Sequence, residues 1–263
     1  MKIGDTLYYQ SSFFRPGIPH NRIVAEIAER AKKQSGPVRI LDIGCAAGQN
    51  AFSVAALAAK THPQAKVEIV GIDHNQVPIE QANDPGHVYS VDCFEAENVG
   101  KQLMPNDYFR PHGAKTTSAG IPIKEYAAEI TVGPKLRKYT SFVVWNILKA
   151  PFNEKDFDYI FLFNLLMHFT EAERDLVIKH AITSLKTGGA LVLESSGCIN
   201  CRIFDEYYNW RTDFAAAAGL RPEDGRPGLQ MNSNYYWKPG LSLYRKIVIR
   251  FKAAAQRFSR LFL

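Results

Sequence analysis

The sequence predicts an α/β protein with a mostly parallel sheet flanked by helices. Residues 38–44 form an apolar run that closes on a glycine, which is typical of a buried strand. An alanine-rich helical segment follows over residues 45–62, and a second apolar run at 66–73 ends in an acid. This strand–helix–strand order builds parallel sheets, because the crossover helix returns the chain to the same end of the sheet.

The segments on either side of this unit are predicted from periodicity and turn residues. A helix over residues 22–33 carries Ile23, Ile27 and Ala31 at helical spacing and ends before a Gly-Pro pair. Residues 74–137 combine weak periodicity with several prolines and glycines. We expect a mixed helical and loop insertion there.

The second half of the chain repeats the alternation of strands and helices. Strands are predicted at 140–148 and 156–166, and a glycine turn leads into another strand at 185–196. An amphipathic helix over 170–184 begins with a Thr-x-x-Glu capping box. Residues 241–249 predict a last strand that runs into a terminal helix.

Composition excludes several classes of protein. The chain has 263 residues and a net charge of +6, and the excess of Lys and Arg is concentrated after Tyr244. Because the remainder is close to neutral, a nucleic-acid partner is not expected. The sequence has no long apolar run and no secretory signal, so a cytoplasmic protein is expected. Cys198 and Cys201 form a C-x-x-C without a second ligand pair, so we expect reduced thiols and no metal.

The segment from Asp42 to Gly48, DIGCAAG, carries the strongest sign of a binding site. Glycines between a strand and a helix let a ligand approach the backbone, and the helix N-terminus attracts negative charge. Ala46 stands at the second glycine of the pattern G-x-G-x-x-G, which argues against an NAD-dependent oxidoreductase. Asp73 ends the next strand, where a carboxylate can accept hydrogen bonds from ribose hydroxyls. Asn164 lies where a further strand reaches the same edge of the sheet.

Six blocks resemble, in order, those of the chemotaxis-receptor glutamate methyltransferase (CheR) family, which belongs to the class I S-adenosylmethionine (SAM)-dependent methyltransferases. The blocks are SSFFR (11–15), GCAAGQNAFSVA (44–55), NDYF (106–109), residues 139–148, FDYIFLFNLLMHF (157–169) and LKTGGALVLESS (185–196). The resemblance spans about residues 11–246. It implies a Rossmann-like, mostly parallel seven-stranded sheet with a helical and loop insertion and a C-terminal helix.

The resemblance also implies a SAM cofactor, with S-adenosylhomocysteine as product, and a role for each matched position. Asp73 would hold the ribose, Asn146 and Ile147 the adenine, and Asn164 would face the methionine part. Ser11 and Arg15 would reach in near the methionine end and the acceptor. The full set of implied cofactor residues is Ser11, Arg15, Gly44, Cys45, Ala46, Gly48, Asp73, Asn146, Ile147 and Asn164.

Departures from the family pattern concern the acceptor. The family's Glu-Glu pair is Gln49-Asn50 here, its Arg is Phe163 and its Tyr is His168. Because only ten residues precede the SSFFR block, we do not expect the family's N-terminal helical domain. These changes favour a small-molecule acceptor over a receptor glutamate.

Two catalytic residues follow from the chemistry of the acceptor. A carboxylate acceptor is ionised at neutral pH and needs only a cation to orient it, which Arg15 can supply. A hydroxyl acceptor needs a general base, for which His168 is the candidate. We therefore expect methylation of a small molecule at a carboxylate or hydroxyl oxygen. A protein carboxyl methyltransferase and a catalytically inactive SAM-binding regulatory protein remain open alternatives.

Three segments are expected along the chain. Residues 1–35 form an N-terminal segment and helix that cover the active site, and residues 36–246 form the SAM-binding domain. Residues 247–263 form a basic amphipathic helix that packs on its own domain or a dimer mate, or else contacts a membrane surface or a partner. The aromatic residues between 204 and 244 suit an acceptor pocket or ordinary packing equally well.

Overall fold

The structure, a computed structural model, describes residues 11–15, 18, 20–91, 107–114, 128–193, 221–222 and 235–237. The chain divides into two compact units, Met1–Ile147 and Leu148–Leu263. This division falls inside the expected 36–246 domain, and the three expected segment boundaries stay predictions. The terminal segment 247–263, the pair Cys198 and Cys201, and most of the aromatic stretch lie outside the described residues.

The first unit contains a parallel sheet with helices packed on it. Its helices are α1 His20–Ala31, α2 Gln49–Thr61, α3 Gln76–Asn83 and α4 Pro134–Arg137. Its strands are β1 Val38–Ile43, β2 Val67–Asp73, β3 Val88–Val91, β4 Phe109–Ala114, β5 Ala128–Val132 and β6 Thr140–Val144.

The parallel sheet of this unit has the order β6–β2–β1. Strands β1 and β2 pair in parallel with Ile43 opposite Ile72, and β2 and β6 pair in parallel with Asp73 opposite Val144. The side chains of β1 and β2 are almost all buried, as expected for strands covered on both faces. The register brings the ends of all three strands to one edge, at Asp73.

The insertion at 74–137 differs from the expected mixture of helix and loop. After α3, strands β3, β5 and β4 form a separate three-stranded antiparallel sheet in that order. The expectation was wrong here because these strands are short, and β4 contains Pro111 and Gly113 at a shift of register. Such strands are stabilised by pairing with distant segments, which local periodicity does not report.

The second unit contains strands β7 Phe157–Leu162, β8 Leu185–Leu193, β9 Arg221–Pro222 and β10 Tyr235–Trp237, with helix α5 Glu171–Ser184. Strands β7 and β8 pair in parallel, and β10 pairs antiparallel with β8 and with β9. The predicted capping box is confirmed: the Thr170 hydroxyl accepts from the Glu173 backbone N–H, and the Glu173 carboxylate accepts from the Thr170 N–H.

The predicted α/β class with a mostly parallel sheet is confirmed. In the described residues, parallel pairing joins three strands of the first unit and two of the second. A total of seven strands in one sheet stays a prediction. The strands expected at 140–148 and 156–166 are shorter than expected. None of the helices in the described residues has both the length and the apolar character needed to cross a membrane.

Phe142 of β6 packs against two glycines that have no room for a side chain. A Cβ at Gly48 would lie 2.6 Å from the Phe142 ring, and a Cβ at Gly71 would lie 2.6 Å from the same ring and 2.8 Å from the Cys45 sulfur. Phe142 and Cys45 are both buried. The absence of side chains at these glycines therefore sets the distance between β2, β6 and the start of α2.

We expect Gly71→Ala to destabilise the protein by about 1–3 kcal/mol, because a methyl group must displace buried Phe142 and Cys45. The matched control is Gly36→Ala, where an added Cβ meets nothing within 4 Å. That control is expected to be neutral or slightly stabilising. Urea denaturation of both variants measures the difference, and equal midpoints would contradict the packing described here.

Candidate active site

The loop between β1 and α2 contains three residues with positive φ, and its glycines leave the backbone open to close approach by a ligand. Gly44 and Gly48 have φ values of 76° and 84°, and Ala46 also has a positive φ of 48°. The backbone N–H groups of Gly44 and Cys45 both donate to the Ile72 carbonyl, at 2.8 and 3.1 Å. The loop is thereby tied to the end of β2. A non-glycine residue with positive φ is uncommon and is a frequent feature of binding sites.

Asp73 is the second part of this site, and its carboxylate organises the backbone around it. One oxygen, Oδ2, accepts from the Ala46 N–H at 3.1 Å, and the other, Oδ1, accepts from the Asn75 N–H at 2.9 Å. The Asp73 side chain is 12% exposed, so it is partly open to a ligand. The sequence placed Asp73 beside the glycine loop, and this placement is what the structure shows.

Each carboxylate oxygen has two lone pairs, so the capacity left for a ligand can be counted. At Oδ2 one lone pair remains beside the Ala46 N–H. At Oδ1 the second is approached by His74 Nδ1 at 3.3 Å, but the His74 side chain is 64% exposed and can rotate away. Asp73 can therefore accept one hydrogen bond on each oxygen, as a ribose diol requires.

The end of β6 lies next to Asp73. The Trp145 N–H donates to the Asp73 carbonyl at 2.8 Å, and Asn146 and Ile147 follow directly in the chain. Ile147 is buried and Asn146 is half-buried. The structure thus brings the two expected adenine contacts to the same edge as the expected ribose contact.

The N-terminal segment 11–15 is attached to the start of α2. The Gln49 side chain donates to the Ser11 carbonyl at 3.4 Å, and the Phe14 N–H donates to the Ser53 hydroxyl at 3.0 Å. The Arg15 Nε donates to the Ser12 hydroxyl at 3.4 Å. The first two bonds hold this segment against the start of α2, directly after the glycine loop. The roles of Ser11 and Arg15 at the cofactor and the acceptor stay predictions.

Phe13 anchors the same segment. Its buried ring meets the rings of Tyr89 and Phe109 edge-on, each at 5.2 Å between centroids. The Tyr89 hydroxyl donates to the Ala47 carbonyl at 2.9 Å, and burial raises the pKa of that hydroxyl. The antiparallel sheet of the insertion therefore supports both the N-terminal segment and the glycine loop. Sequence reasoning missed Tyr89 because the strand that carries it was not predicted.

A buried polar chain lies beneath the glycine loop. Asp42 is 2% exposed and its Oδ2 accepts from the Asn50 Nδ2 at 3.0 Å, while Asn50 Oδ1 lies 3.3 Å from His20 Nε2. Burial raises the pKa of Asp42 to about 7, although the Asn50 hydrogen bond lowers it and the charge of Asp73 raises it further. Burial lowers the pKa of His20 to about 4 against its hydrogen bonds to Asn50 and the Ile18 backbone.

Sequence reasoning missed the roles of Asp42 and His20, and it identified Asn50 only as a departure from a family pattern. The acid at Asp42 was a visible signal, since it opens the glycine motif at the end of a buried strand. His20 had no such signal, because thirty residues separate it from Asn50 and only the fold joins them.

Cys45 contributes its backbone rather than its thiol. The side chain is buried, and its sulfur lies against the backbone of Gly71. Burial raises the pKa of this thiol well above its usual value, with the charges of Asp42 and Asp73 acting in the same direction. A neutral buried thiol is an unreactive packing group, so the contact of Cys45 with a ligand would run through its main chain.

Asn164 and His168 belong to the second unit. Asn164 follows β7, is half-buried and has a positive φ of 54°, while His168 ends a short 3₁₀ helix and is exposed. The ring of Phe163, at the family's Arg position, is buried and stacks on Phe161 with centroids 5.1 Å apart. The roles of Asn164 and His168 stay predictions.

The residues of the first unit fit a nucleoside cofactor with a charged amino-acid tail. Asp73 has hydrogen-bonding capacity for a ribose diol, the positive-φ loop opens its backbone to close approach, and buried Asp42 offers negative charge to an ammonium or sulfonium group. No group of three or more His, Cys, Asp or Glu side chains suited to a metal ion occurs among the described residues.

Solved structures resemble the chain at low identity. The chain is 20% identical to the [4+2]-cyclase SpnF, covering 72% of this chain and 52% of that one at a TM-score of 0.36. It is 17% identical to an O-methyltransferase-like protein from Nostoc punctiforme, covering 83% of this chain and 54% of that one at a TM-score of 0.40. It is 15% identical to the N-methyltransferase NodS from Bradyrhizobium japonicum bound to S-adenosylhomocysteine, covering 86% of this chain and 90% of that one at a TM-score of 0.42. The chain spans about half the length of the first two.

Likeness at this level carries no argument about the acceptor. No curated protein matches the sequence significantly. A protein-family model, described as "CheR methyltransferase, SAM binding domain", matches residues 9–209. That range includes the glycine loop, Asp42 and Asp73, the same residues that fit a nucleoside cofactor. Since the match covers well over half of the sequence, the chain belongs to the CheR methyltransferase family and contains its SAM-binding domain.

Proposed function

We propose that this SAM-dependent methyltransferase transfers its methyl group to an oxygen atom of a small-molecule acceptor. The observation that carries the proposal is the attachment of segment 11–15 to the start of α2. Hydrogen bonds at Ser11 and Phe14 hold the segment, and Arg15 is its one cation. A segment tied down beside the cofactor loop suits an acceptor small enough to enter next to it.

The chemistry asks little of the protein beyond alignment. When bound, SAM supplies an electrophilic methyl group on a sulfonium sulfur. The protein must hold the acceptor oxygen in line with that methyl group and exclude water. Asp73 and the glycine loop hold the cofactor and so fix the position of its methyl group. Arg15 can fix the position of the acceptor by binding its carboxylate through two parallel N–H donors.

A hydroxyl acceptor requires a proton to leave during the reaction. His168, which is exposed, is the candidate base in that case. A carboxylate acceptor needs no base, so Arg15 alone suffices. We therefore favour a carboxylate.

Two other activities have a specific observation behind them. The family match favours a protein carboxylate as acceptor. The apolar Phe163 at the family's Arg position favours a SAM-binding regulatory protein without activity. A homodimer, a cytoplasmic location, and contact of segment 247–263 with a membrane surface or a partner are also proposals, and they rest on the sequence alone.

The acceptor class can be tested with SAM that carries a labelled methyl group, incubated with the protein and an extract of the cells that make it. The label is then separated by molecular size and treated with mild base. We expect base-labile label in small molecules, as a methyl ester gives. Base-stable label in small molecules would indicate an ether or amine, label in protein would favour the protein carboxylate, and no transfer would favour the inactive binder.

We expect Asp73→Asn to weaken SAM binding by about 1–3 kcal/mol, because the charged hydrogen bonds to the ribose are lost. The control is His74→Ala, which removes the exposed partner of Asp73 Oδ1 but not the carboxylate, and should change the affinity little. Isothermal titration calorimetry measures both. A folded Asp73→Asn protein with wild-type affinity would show that the ribose binds elsewhere.

Arg15→Lys keeps the charge but loses the planar pair of donors, so we expect KM for a carboxylate acceptor to rise about tenfold or more while the Kd of SAM changes little. The control is Arg22→Lys, since Arg22 forms an exposed ion pair with Glu26 on α1 and should leave both constants unchanged. Steady-state kinetics on the acceptor found by labelling gives the comparison. Equal effects of the two substitutions on KM would remove Arg15 from the acceptor site.

A further inference from the structure

We propose that binding of the cationic cofactor expels a proton from Asp42 beneath the glycine loop, and that Asn50 is the positioning residue whose hydrogen bond favours the ionised carboxylate that results. The inference rests on SAM binding, which the family assigns, and not on the proposed acceptor. Its test contains no acceptor. A wrong acceptor assignment would therefore leave it standing.

The geometry places one amide between an acid and an imidazole. Asn50 Nδ2 lies 3.0 Å from Asp42 Oδ2, and Asn50 Oδ1 lies 3.3 Å from His20 Nε2. All three groups come from different elements: Asp42 is the last but one residue of β1, Asn50 is in the first turn of α2, and His20 is the first residue of α1. Asp42 and His20 are both buried, so water does not screen a charge on the Asp42 carboxylate.

The Asn50 amide is a better partner for an ionised Asp42 than for a protonated one. An ionised Asp42 accepts a charge-assisted hydrogen bond from Asn50 Nδ2, and Asn50 Oδ1 can accept from His20 Nε2–H. A protonated Asp42 keeps an acceptor oxygen, but its hydrogen bond with the amide is then one between neutral groups and is weaker. Asn50 therefore favours the ionised acid.

The charges around Asp42 oppose that ionisation. Asp73, from β2, is a second carboxylate close enough to raise the pKa of Asp42, and the buried Cys45 thiol next in the loop brings no positive charge. His20, on α1, stays neutral at physiological pH because burial lowers its pKa to about 4. No described cation forms an ion pair with Asp42. A bound sulfonium or ammonium group would be the missing counter-charge.

The direction of the pH effect follows from linkage. With a pKa of about 7, Asp42 in the free protein is largely protonated below neutral pH. If the bound cofactor lowers that pKa, binding expels the proton to solvent, and affinity increases as pH rises toward 7 and levels off above it. The slope below the pKa is at most about tenfold in Kd per pH unit, since one proton is released.

The test is the Kd of SAM by calorimetry from about pH 5.5 to about pH 8.5 for wild type, Asn50→Leu, Asp42→Asn and Ser53→Ala. Asn50→Leu removes the donor to Asp42, so the midpoint of the affinity curve should move up by about one pH unit. Asp42→Asn should remove this step altogether. The α-amino group of SAM titrates near pH 8 in every case, so comparison between variants cancels it.

Ser53→Ala is the matched control. Ser53 is fully buried on α2, one turn from Asn50, and its hydroxyl bonds Gln49 and Phe14 but not Asp42. The Kd of SAM for Ser53→Ala can differ from that of the wild type, but the midpoint of its affinity curve should stay at the wild-type pH. A midpoint that is the same in Asn50→Leu as in wild type overturns the role of Asn50.

A second measurement needs no variant. Calorimetry of wild type near pH 6.5 in phosphate and in Tris should give enthalpies that differ by the heat of buffer protonation, in proportion to the proton released. Identical enthalpies in the two buffers, or an Asp42→Asn protein that keeps the wild-type pH profile, would overturn the proposal even if Asn50→Leu fails to fold.

Discussion

The carboxylate of Asp73 is the group on which the rest of the first unit's site depends. It accepts backbone N–H groups from the glycine loop and from the start of the segment leading to α3, and its own carbonyl accepts from the end of β6. One residue thus connects three chain segments that must act together on a nucleoside. Charged acceptors make stronger hydrogen bonds than neutral ones, so the loop can keep a positive φ at Ala46 that a non-glycine residue rarely adopts.

Close packing makes this arrangement possible. Phe142 fills the space that Gly48 and Gly71 leave, and this allows the ends of β2 and β6 and the start of α2 to converge. The antiparallel sheet of the insertion adds a second support through Tyr89, which bonds the loop, and through Phe109, which helps to hold Phe13. The N-terminal segment and the cofactor loop therefore share the same support, and changes in one are expected to reach the other.

The site places two carboxylates close together with no described cation paired to Asp42. Asp73 is partly exposed, and its carboxylate accepts hydrogen bonds from two backbone N–H groups. Asp42 is buried, and its carboxylate accepts a hydrogen bond from the Asn50 amide. Such an arrangement is costly in the free protein and favourable when a cation binds. The electrostatics of this chain thus favour a positively charged cofactor independently of the family match.

The sequence by itself determined the β–α–β unit, the capped helix at 170–184 and the positions of Asp73 and the glycine loop. These features follow from local signals: apolar runs, glycines, and an N-cap residue three positions before its partner. The tertiary structure alone decided the antiparallel sheet within 74–137 and the meeting of His20, Asn50 and Asp42. The physical reason is distance along the chain: β3 pairs with β5, and His20 meets Asn50, across thirty or more positions, and no local pattern records such a partner.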